Sequence, residues 1–242
     1  MKIATWNVNG IRARQAQLRE WMERDRPDVV CIQELKAEAA QIPEQVKLED
    51  YHAYWHGFRA YSGVSLHIRK GLFDTEPAFS HPEFDMESRI VQAELGRLVL
   101  ASVYVPNGGK DYEAKLGFMI KLAAWAKEVH RDGRELVLCG DMNITRTDMD
   151  VHPNERKPGI IGQREEEREL LSSSSPSTWW TSAARSIPTM RTSSPGGRRG
   201  ATCASATSAG AWITSSPHRR SRSAPRAAPF SQTSERATML RW

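Results

Sequence analysis

The sequence predicts an α/β fold in which helices pack on layered β-sheet. Three observations indicate it: short apolar runs that end in turn residues, amphipathic segments between these runs, and regular alternation of the two kinds over residues 1–171. Such alternation is typical of layered α/β proteins. The clearest apolar run, Leu136 to Cys139, ends abruptly in Gly140 to Asn143, which predicts a buried strand with a turn at its carboxyl end.

The other elements follow from the same rules in chain order. Leu18, Trp21 and Met22 recur at helical spacing, and Pro27 ends that helix. Gly96 separates two strand-like runs and predicts a hairpin. The predicted strands are Lys2 to Asn7, Val29 to Ile32, His52 to His56, Val64 to Ile68, Arg89 to Glu94 and Leu98 to Val105. The predicted helices are Ala13 to Glu23, Tyr112 to His130 (apolar stripe Leu116, Met119, Leu122, Ala123 and Val129), and a third that starts at Arg164 to Leu171.

Polar side chains with oxygen atoms stand where several of these strands end. They are Asn7, Glu34, Tyr104, Asp141 and Asn143. Side chains two apart on an extended chain point to the same side, so we expect Asp141 and Asn143 to face one point. Oxygen donors suit a hard cation, and the pattern therefore predicts a Mg²⁺ or Mn²⁺ site.

Each of these residues also has an ordinary structural interpretation. Asn7 is typical of a turn, Glu34 of a helix N-terminus, where a carboxylate complements the dipole, and Tyr104 of a packed strand. Asp141 is also typical of a turn residue that has no catalytic or metal-binding role. Because all share a position at a strand end, convergence on one metal site explains them better than independent coincidences do.

Charge divides the chain near residue 172. Residues 1–171 hold 24 Lys and Arg against 28 Asp and Glu, a net charge of −4. Residues 172–242 hold 10 Arg and one acidic residue, Glu235, a net charge of +9. Three widely spaced cysteines, Cys31, Cys139 and Cys203, form no disulfide framework or zinc pattern. No signal peptide or long apolar segment is present, so we expect a soluble, cytoplasmic monomer with no membrane partner.

Four motifs resemble, in order and spacing, those of the exodeoxyribonuclease III family, apurinic/apyrimidinic endonucleases of the endonuclease/exonuclease/phosphatase superfamily. They are Thr5 to Arg12, Ile32 to Lys36, Val103 to Gly108 and Cys139 to Ile144, and the family is also resembled at Asp148 to Val151 and Gly162 to Arg168. The resemblance covers residues 1 to about 171. It implies a four-layered α/β sandwich, two packed mixed sheets flanked by helices. It also implies a DNA repair nuclease that hydrolyses duplex DNA at abasic sites and 3′ ends with Mg²⁺ or Mn²⁺.

The resemblance supplies roles for the strand-end residues. Asn7 and Glu34 match metal-site residues, and Asp141 matches the catalytic Asp that polarises or deprotonates the attacking water and is expected to touch the metal. Asn143 matches a group that stabilises the transition state at the metal and phosphate. Tyr104 matches the active-site tyrosine near the phosphate.

Several residues beside these motifs are candidates for DNA binding. Arg12, Lys36 and Asn107 flank the matching segments, and Asn143 is expected to contact phosphate as well. For Arg12, an exposed position that serves solubility is the alternative interpretation.

The tail, residues 172–242, departs from the family. The resemblance implies a Trp-Arg-x-Asp segment and a final Asp-His-Ala-Pro-Val, whose Asp orients a histidine that acts on the phosphate, and neither is present. The Ser, Thr, Ala, Arg and Pro-rich composition lacks hydrophobic periodicity and predicts disorder. We therefore expect an incomplete catalytic domain at 1–171 and a disordered tail at 172–242.

A shifted reading frame accounts for the tail. Codons that encode Ala237 to Trp242, read from the third base, can encode Asp-His-Ala-Pro-Val. In the same frame Ala206 to Thr214 can yield Asn-Ile-Gly-Trp-Arg-Val-Asp-His. Ser177 to Met190 can yield Asp-Val-Val-Asp-Val-Gly followed by Arg-Ala-Leu-Asp-Pro-Asp-Asn. One recovery is weak, because codon choice is free, but three in family order support a frame change near Leu171. The hypothesis predicts that the chain as written is nearly inactive.

Two other functions stay open. One is a non-enzymatic or decayed product whose basic tail binds nucleic acid by charge alone. The other is a phosphatase of the same superfamily. The motifs around Glu34 and Asp141 favour the nuclease over the phosphatase.

Overall fold

The computed structural model describes residues 1–157 and 159–173 and, beyond these, four short strands. The helices are α1 (Ile11–Asp25), α2 (Tyr112–Arg131) and α3 (Glu165–Ser173), and 3-10 turns occupy Ala39–Gln41, Glu44–Val46, Asp148–Asp150 and Pro153–Glu155. The strands are β1 (Lys2–Asn7), β2 (Val29–Gln33), β3 (Tyr51–Phe58), β4 (Tyr61–Arg69), β5 (Ala78–Ser80), β6 (Ile90–Leu95), β7 (Leu98–Tyr104), β8 (Glu135–Asp141), β9 (Trp179–Ser182), β10 (Arg185–Ser186), β11 (Ala209–Thr214) and β12 (Thr238–Arg241).

The strands form two six-stranded mixed sheets. The first has the order β10-β12-β1-β2-β4-β3 and the second the order β5-β6-β7-β8-β11-β9. Among the described pairs only β1 with β2 and β7 with β8 run parallel. Each parallel pair brings two carboxyl ends to the same edge of its sheet, which is the arrangement that places the candidate site.

Apolar side chains fill three layers between the elements. The inter-sheet layer includes Ile3, Cys31, Leu66, Leu100 and Cys139. The layer under α1 includes Trp6, Leu18, Trp21 and Ile32, and the layer under α2 includes Leu122, Val129, Leu136 and Leu138. The order helix, sheet, sheet, helix confirms the four-layered α/β sandwich. No helix in the described part of the chain is both long and apolar enough to cross a membrane.

A buried polar bridge links the two sheets near the candidate site. The Thr5 hydroxyl donates to Gln33 Oε1 at 3.1 Å, and Gln33 Nε2 donates to Ser102 Oγ at 3.2 Å. Ser102 Oγ in turn donates to the carbonyl of Ile32 at 3.4 Å. Since buried polar groups are costly without partners, this chain of bonds sets how β2 and β7 face each other.

Two strands of the tail pair with the strands that lead into the candidate site. Thr238 on β12 lies opposite Thr5, and Ala209 on β11 lies opposite Asp141. The pairing follows from strand chemistry, because β1 and β8 would otherwise offer unpaired backbone groups to any extended chain. The rest of the tail lies outside the described residues, so disorder there stays a prediction.

The buried stripe of α2 differs from its prediction at two positions. The buried side chains are Lys115, Met119, Leu122, Ala126 and Val129, whereas Leu116 and Ala123 are only partly buried. Lys115 can occupy this buried stripe because an ion pair with Glu167 compensates its charge.

Candidate active site

The carboxyl ends of both parallel strand pairs meet at one end of the sandwich. Asn7 ends β1 beside Gln33 of β2, and Tyr104 ends β7 beside Asp141 of β8. Because the two sheets pack face to face, these ends approach one another although the residues lie far apart in sequence.

The Asn7 amide joins two carboxylates from different sheets. Its Nδ2 donates to Glu34 Oε1 and to Asp141 Oδ2, both at 2.8 Å, and its Oδ1 accepts the backbone N–H of Asn9 at 3.0 Å. Asn7, Glu34 and Asp141 therefore form a single hydrogen-bonded unit, with each side chain held by the end of a strand.

Glu34 lies immediately after β2 with a left-handed backbone, φ 56°. Lys36 Nζ lies 2.9 Å from Glu34 Oε2. Burial by itself raises the pKa of Glu34, but hydrogen bonds from Asn7, Lys36 and Tyr104 outweigh it and hold that pKa below its usual value. Glu34 is therefore ionised at neutral pH.

Asp141 is the most deeply buried carboxylate of this unit, with 2% of its surface exposed. Burial raises the pKa of Asp141 to about 6, and the negative charge of Glu34 adds to the rise, while hydrogen bonds from Asn7 and from the backbone N–H of Asn143 oppose it. A carboxylate whose pKa lies close to neutral pH is well suited to accept a proton from water.

Tyr104 contacts the same unit from β7. Burial raises the pKa of its hydroxyl strongly, and the charge of Glu34, to which the hydroxyl is hydrogen-bonded, raises it further. The phenol therefore stays protonated and can donate a hydrogen bond. The buried guanidinium of Arg89 lies over the ring at 4.9 Å from its centre, and its Nη2 donates to the Tyr61 hydroxyl at 3.0 Å. Sequence reasoning treated Arg89 only as the start of a strand.

Asn143 reaches Asp141 through its backbone instead of its side chain. Its N–H donates to Asp141 Oδ1 at 3.1 Å, whereas its side-chain Nδ2 donates to the carbonyl of Val105 at 2.8 Å. The expectation that alternation aims both side chains at one point is wrong, because β8 ends at Asp141 and Asn143 has a left-handed φ of 49°. The two residues are still neighbours, joined by a turn.

The candidate DNA contacts surround this unit unevenly. Lys36 lies beside Glu34 and also contacts Asn9 Oδ1. Arg12 is exposed in the first turn of α1, and Asn107 is exposed after β7. Neither Arg12 nor Asn107 is seen to contact the Asn7 unit directly within the described residues.

A buried ion pair behind Asn143 was missing from the sequence-based site. Lys115 Nζ lies 2.5 Å from Glu167 Oε1, and both side chains are 0% exposed. Lys115 Nζ also donates to the carbonyl of Asn143 at 2.8 Å. The available signal was a lysine four residues before Met119, on the buried stripe of an otherwise apolar helix face.

The donor set fits a hard divalent cation. Glu34 and Asp141 bring two carboxylates to a shared neutral amide, and the pKa of Asp141 is raised partly by the charge of Glu34. A cation between them would relieve that repulsion, and oxygen donors are those that Mg²⁺ and Mn²⁺ prefer. Glu34, Asp141 and the amide oxygen of Asn7 would hold it, whereas the amide of Asn143, also predicted as a ligand, is turned toward the Val105 carbonyl.

Comparison with known proteins points the same way. The profile of the endonuclease/exonuclease/phosphatase family matches residues 4–200. Recombination repair protein 1 of Drosophila melanogaster is 31% identical over 181 residues, covering 69% of this chain and 26% of the relative. Exodeoxyribonuclease III of Haemophilus influenzae is 30% identical over 161 residues, covering 62% of this chain and 60% of the relative. The chain thus spans less than two thirds of either relative.

A solved structure extends the likeness to three dimensions. The AP endonuclease from Archaeoglobus fulgidus superimposes with a TM-score of 0.62 at 28% identity, over 72% of this chain and 69% of that one. The profile match covers most of the chain and includes all four strand ends that meet at the candidate site. The chain therefore belongs to the endonuclease/exonuclease/phosphatase family.

Proposed function

We propose that the catalytic domain is a metal-dependent DNA repair nuclease that hydrolyses phosphodiester bonds of duplex DNA at abasic sites and 3′ ends. The observation that carries the proposal is the Asn7 amide, which holds Glu34 and Asp141 together at 2.8 Å each. The names of the relatives, exodeoxyribonuclease III and AP endonuclease, support the same chemistry. We propose that it acts as a cytoplasmic monomer, consistent with the free, buried thiols of Cys31 and Cys139.

The proposed chemistry assigns one task to each group. Asp141 accepts a proton from water as the water oxygen bonds to phosphorus and the ester bond to the leaving oxygen breaks. Tyr104 and Asn143 donate hydrogen bonds to the phosphoryl oxygens, where charge develops. Glu34, Asn7 and Asp141 would hold Mg²⁺ or Mn²⁺, which would offset that charge when bound. Lys36, Arg12 and Asn107 are proposed to contact the DNA backbone.

The sequence of residues 172–242 bears on whether this chain is catalytically active. The Asp-His pair that the resemblance implies is missing, and groups that act as a unit lose rate on the order of 10⁴-fold when one is removed. In the alternative reading frame, that Asp and His overlap the codons of Ala237 to Met239. The same segment enters β12, where Thr238 and Met239 lie opposite Thr5 and Ala4. The out-of-frame motif would therefore lie beside the strand that ends at Asn7.

Incision of a duplex with a single abasic site tests the proposal. The chain as written should be nearly inactive, and a form with residues 172 onward restored to the other frame should cut when Mg²⁺ is added. In the restored form, Asp141→Asn should abolish incision and spare DNA binding, because it removes the base and keeps the shape. A restored form that cuts without divalent metal, or not at all, would refute the nuclease. Equal activity of the chain as written would refute the account of the tail.

The same preparation discriminates the charge-only alternative. A binder that acts through the basic tail alone would lose affinity steeply as salt is added and would need no divalent metal. Loss of binding on deletion of residues 172–242, with no Mg²⁺ dependence in either form, would favour that alternative.

A further inference from the structure

A second cluster of metal-ligating groups lies outside the candidate active site. His56 belongs to β3, His81 follows β5 directly, and Asp85 lies in the loop before β6. One ligand atom from each lies within 4.8 Å of the others. We propose that His56, His81 and Asp85 bind a transition-metal ion, with Zn²⁺ as the reference case, at a site separate from the Mg²⁺ or Mn²⁺ site.

Asp85 is fixed in place before any ion binds. Its side chain is 0% exposed. Its Oδ1 accepts the backbone N–H of Arg89 at 2.9 Å, and its Oδ2 accepts that of Ile90 at 2.8 Å. Burial opposes ionisation, but hydrogen bonds from His56 and these backbone groups outweigh it and hold the pKa of Asp85 below its usual value. A rigid carboxylate anion is therefore present before binding, so an ion that binds here does not have to order the Asp85 side chain.

His56 is already spaced as an adjacent ligand. Its Nε2 lies 3.1 Å from Asp85 Oδ2. Two ligands bound at about 2.0–2.2 Å to one tetrahedral ion stand roughly 3.4 Å apart, so only a small shift would be needed. The observed distance also fits a simple hydrogen bond and therefore does not by itself select a metal. The third residue, His81, is what distinguishes a metal site from a simple hydrogen-bonded pair.

His81, which follows β5 of the second sheet, brings a second imidazole next to His56 and Asp85. Its ring stacks on that of His56 with centroids 4.3 Å apart and an interplanar angle of 13°. His81 is exposed, so a change of rotamer can complete the ligand set without repacking the core. Because β3 and β5 are edge strands of different sheets, an ion here would join the two sheet edges.

The ligand types separate this site from the active site. Imidazole nitrogen suits Zn²⁺, Ni²⁺ and Cu²⁺, whereas the oxygen-only set around Glu34 and Asp141 suits Mg²⁺ and Mn²⁺. The two sites should therefore discriminate between these ions in a mixture. Binding at the second site does not depend on nuclease activity, and it can be measured without DNA.

The test uses the full chain, made without a histidine tag, and Zn²⁺ in competition with a chromophoric chelator. Wild type should bind one Zn²⁺ that excess Mg²⁺ does not displace, and Zn²⁺ should raise its thermal unfolding midpoint. His81→Ala removes an exposed ligand and should weaken Zn²⁺ binding by tenfold or more, since loss of even an outer-sphere partner of a metal site costs about 10–100-fold.

Two controls locate the binding. His52→Ala removes a histidine four residues earlier on β3 and should leave Zn²⁺ affinity unchanged. Glu34→Gln, in the active site, should also retain it. Wild type that binds no Zn²⁺, or His81→Ala and His56→Ala variants that both bind it as wild type does, would overturn the proposal. Loss on Glu34→Gln would assign the Zn²⁺ to the active site and overturn it as well.

Discussion

Removing one partner of the buried Lys115–Glu167 ion pair should destabilise both the fold and the loop that carries Asn143. Lys115 Nζ donates to the carbonyl of Asn143 at 2.8 Å, and Glu167 Oε2 accepts the backbone N–H groups of Gly162 and Arg164 at 2.6 and 3.1 Å. The pair therefore joins α2 to the loop after β8 and to the start of α3.

The magnitude follows from the burial of both groups. Lys115→Met fills a similar volume but leaves the carboxylate of Glu167, 0% exposed, without its counter-charge. Breaking a buried pair by removing one partner costs about 3–5 kcal/mol, whereas replacing both charges is close to neutral. We expect Lys115→Met to lower the free energy of unfolding by about 3–5 kcal/mol, and the double variant Lys115→Met/Glu167→Gln to recover most of that loss.

Urea unfolding followed by circular dichroism measures this, with the two single variants and the double variant forming a thermodynamic cycle. In the frame-restored form, Lys115→Met should also reduce abasic-site incision more than it weakens DNA binding, because it acts on the position of Asn143. Single and double losses that simply add would show that the pair is not coupled. A loss below about 1 kcal/mol for Lys115→Met would refute the burial argument.

Three further predictions concern the scaffold. Gly140→Ala should lower the free energy of unfolding in urea by about 3 kcal/mol or more, because its Cβ would lie 1.9 Å from the Val103 carbonyl oxygen at a φ of +156°. As a control, Gly96→Ala has open space around it and should lower that free energy by only about 1–2 kcal/mol. Ser102→Ala should cost about 1–3 kcal/mol, because it leaves Gln33 Nε2 buried without an acceptor. Burial lowers the pKa of His67 to about 3, against about 6.5 in the unfolded chain. Between these values the unfolded state binds more protons than the folded state, so the free energy of unfolding decreases as the pH is lowered. The loss from this group between pH 7 and pH 5 should be about 2 kcal/mol, and His67→Gln should flatten it; an unchanged pH slope would contradict the assignment.

The sequence by itself determined most elements of residues 1–171, although not β5, and most of the site. Short apolar runs ending in polar residues predict strands with side chains at their carboxyl ends, and the structure places Asn7, Glu34, Tyr104 and Asp141 together there. Local periodicity suffices for this, because burial of one face is imposed on each element wherever it packs. The period also located α2, although it assigned burial to Leu116 where Lys115 is buried.

Tertiary structure alone decided how these groups are aimed and what supports them. Left-handed backbone at Glu34 and Asn143 ends the alternation on which sequence reasoning depends, so contacts with Lys36, Val105 and Lys115 set their orientation. The Lys115–Glu167 pair and the cluster of His56, His81 and Asp85 each join segments that are separate in the chain. No local pattern encodes such groupings, because their energy arises only when side chains from separate segments meet.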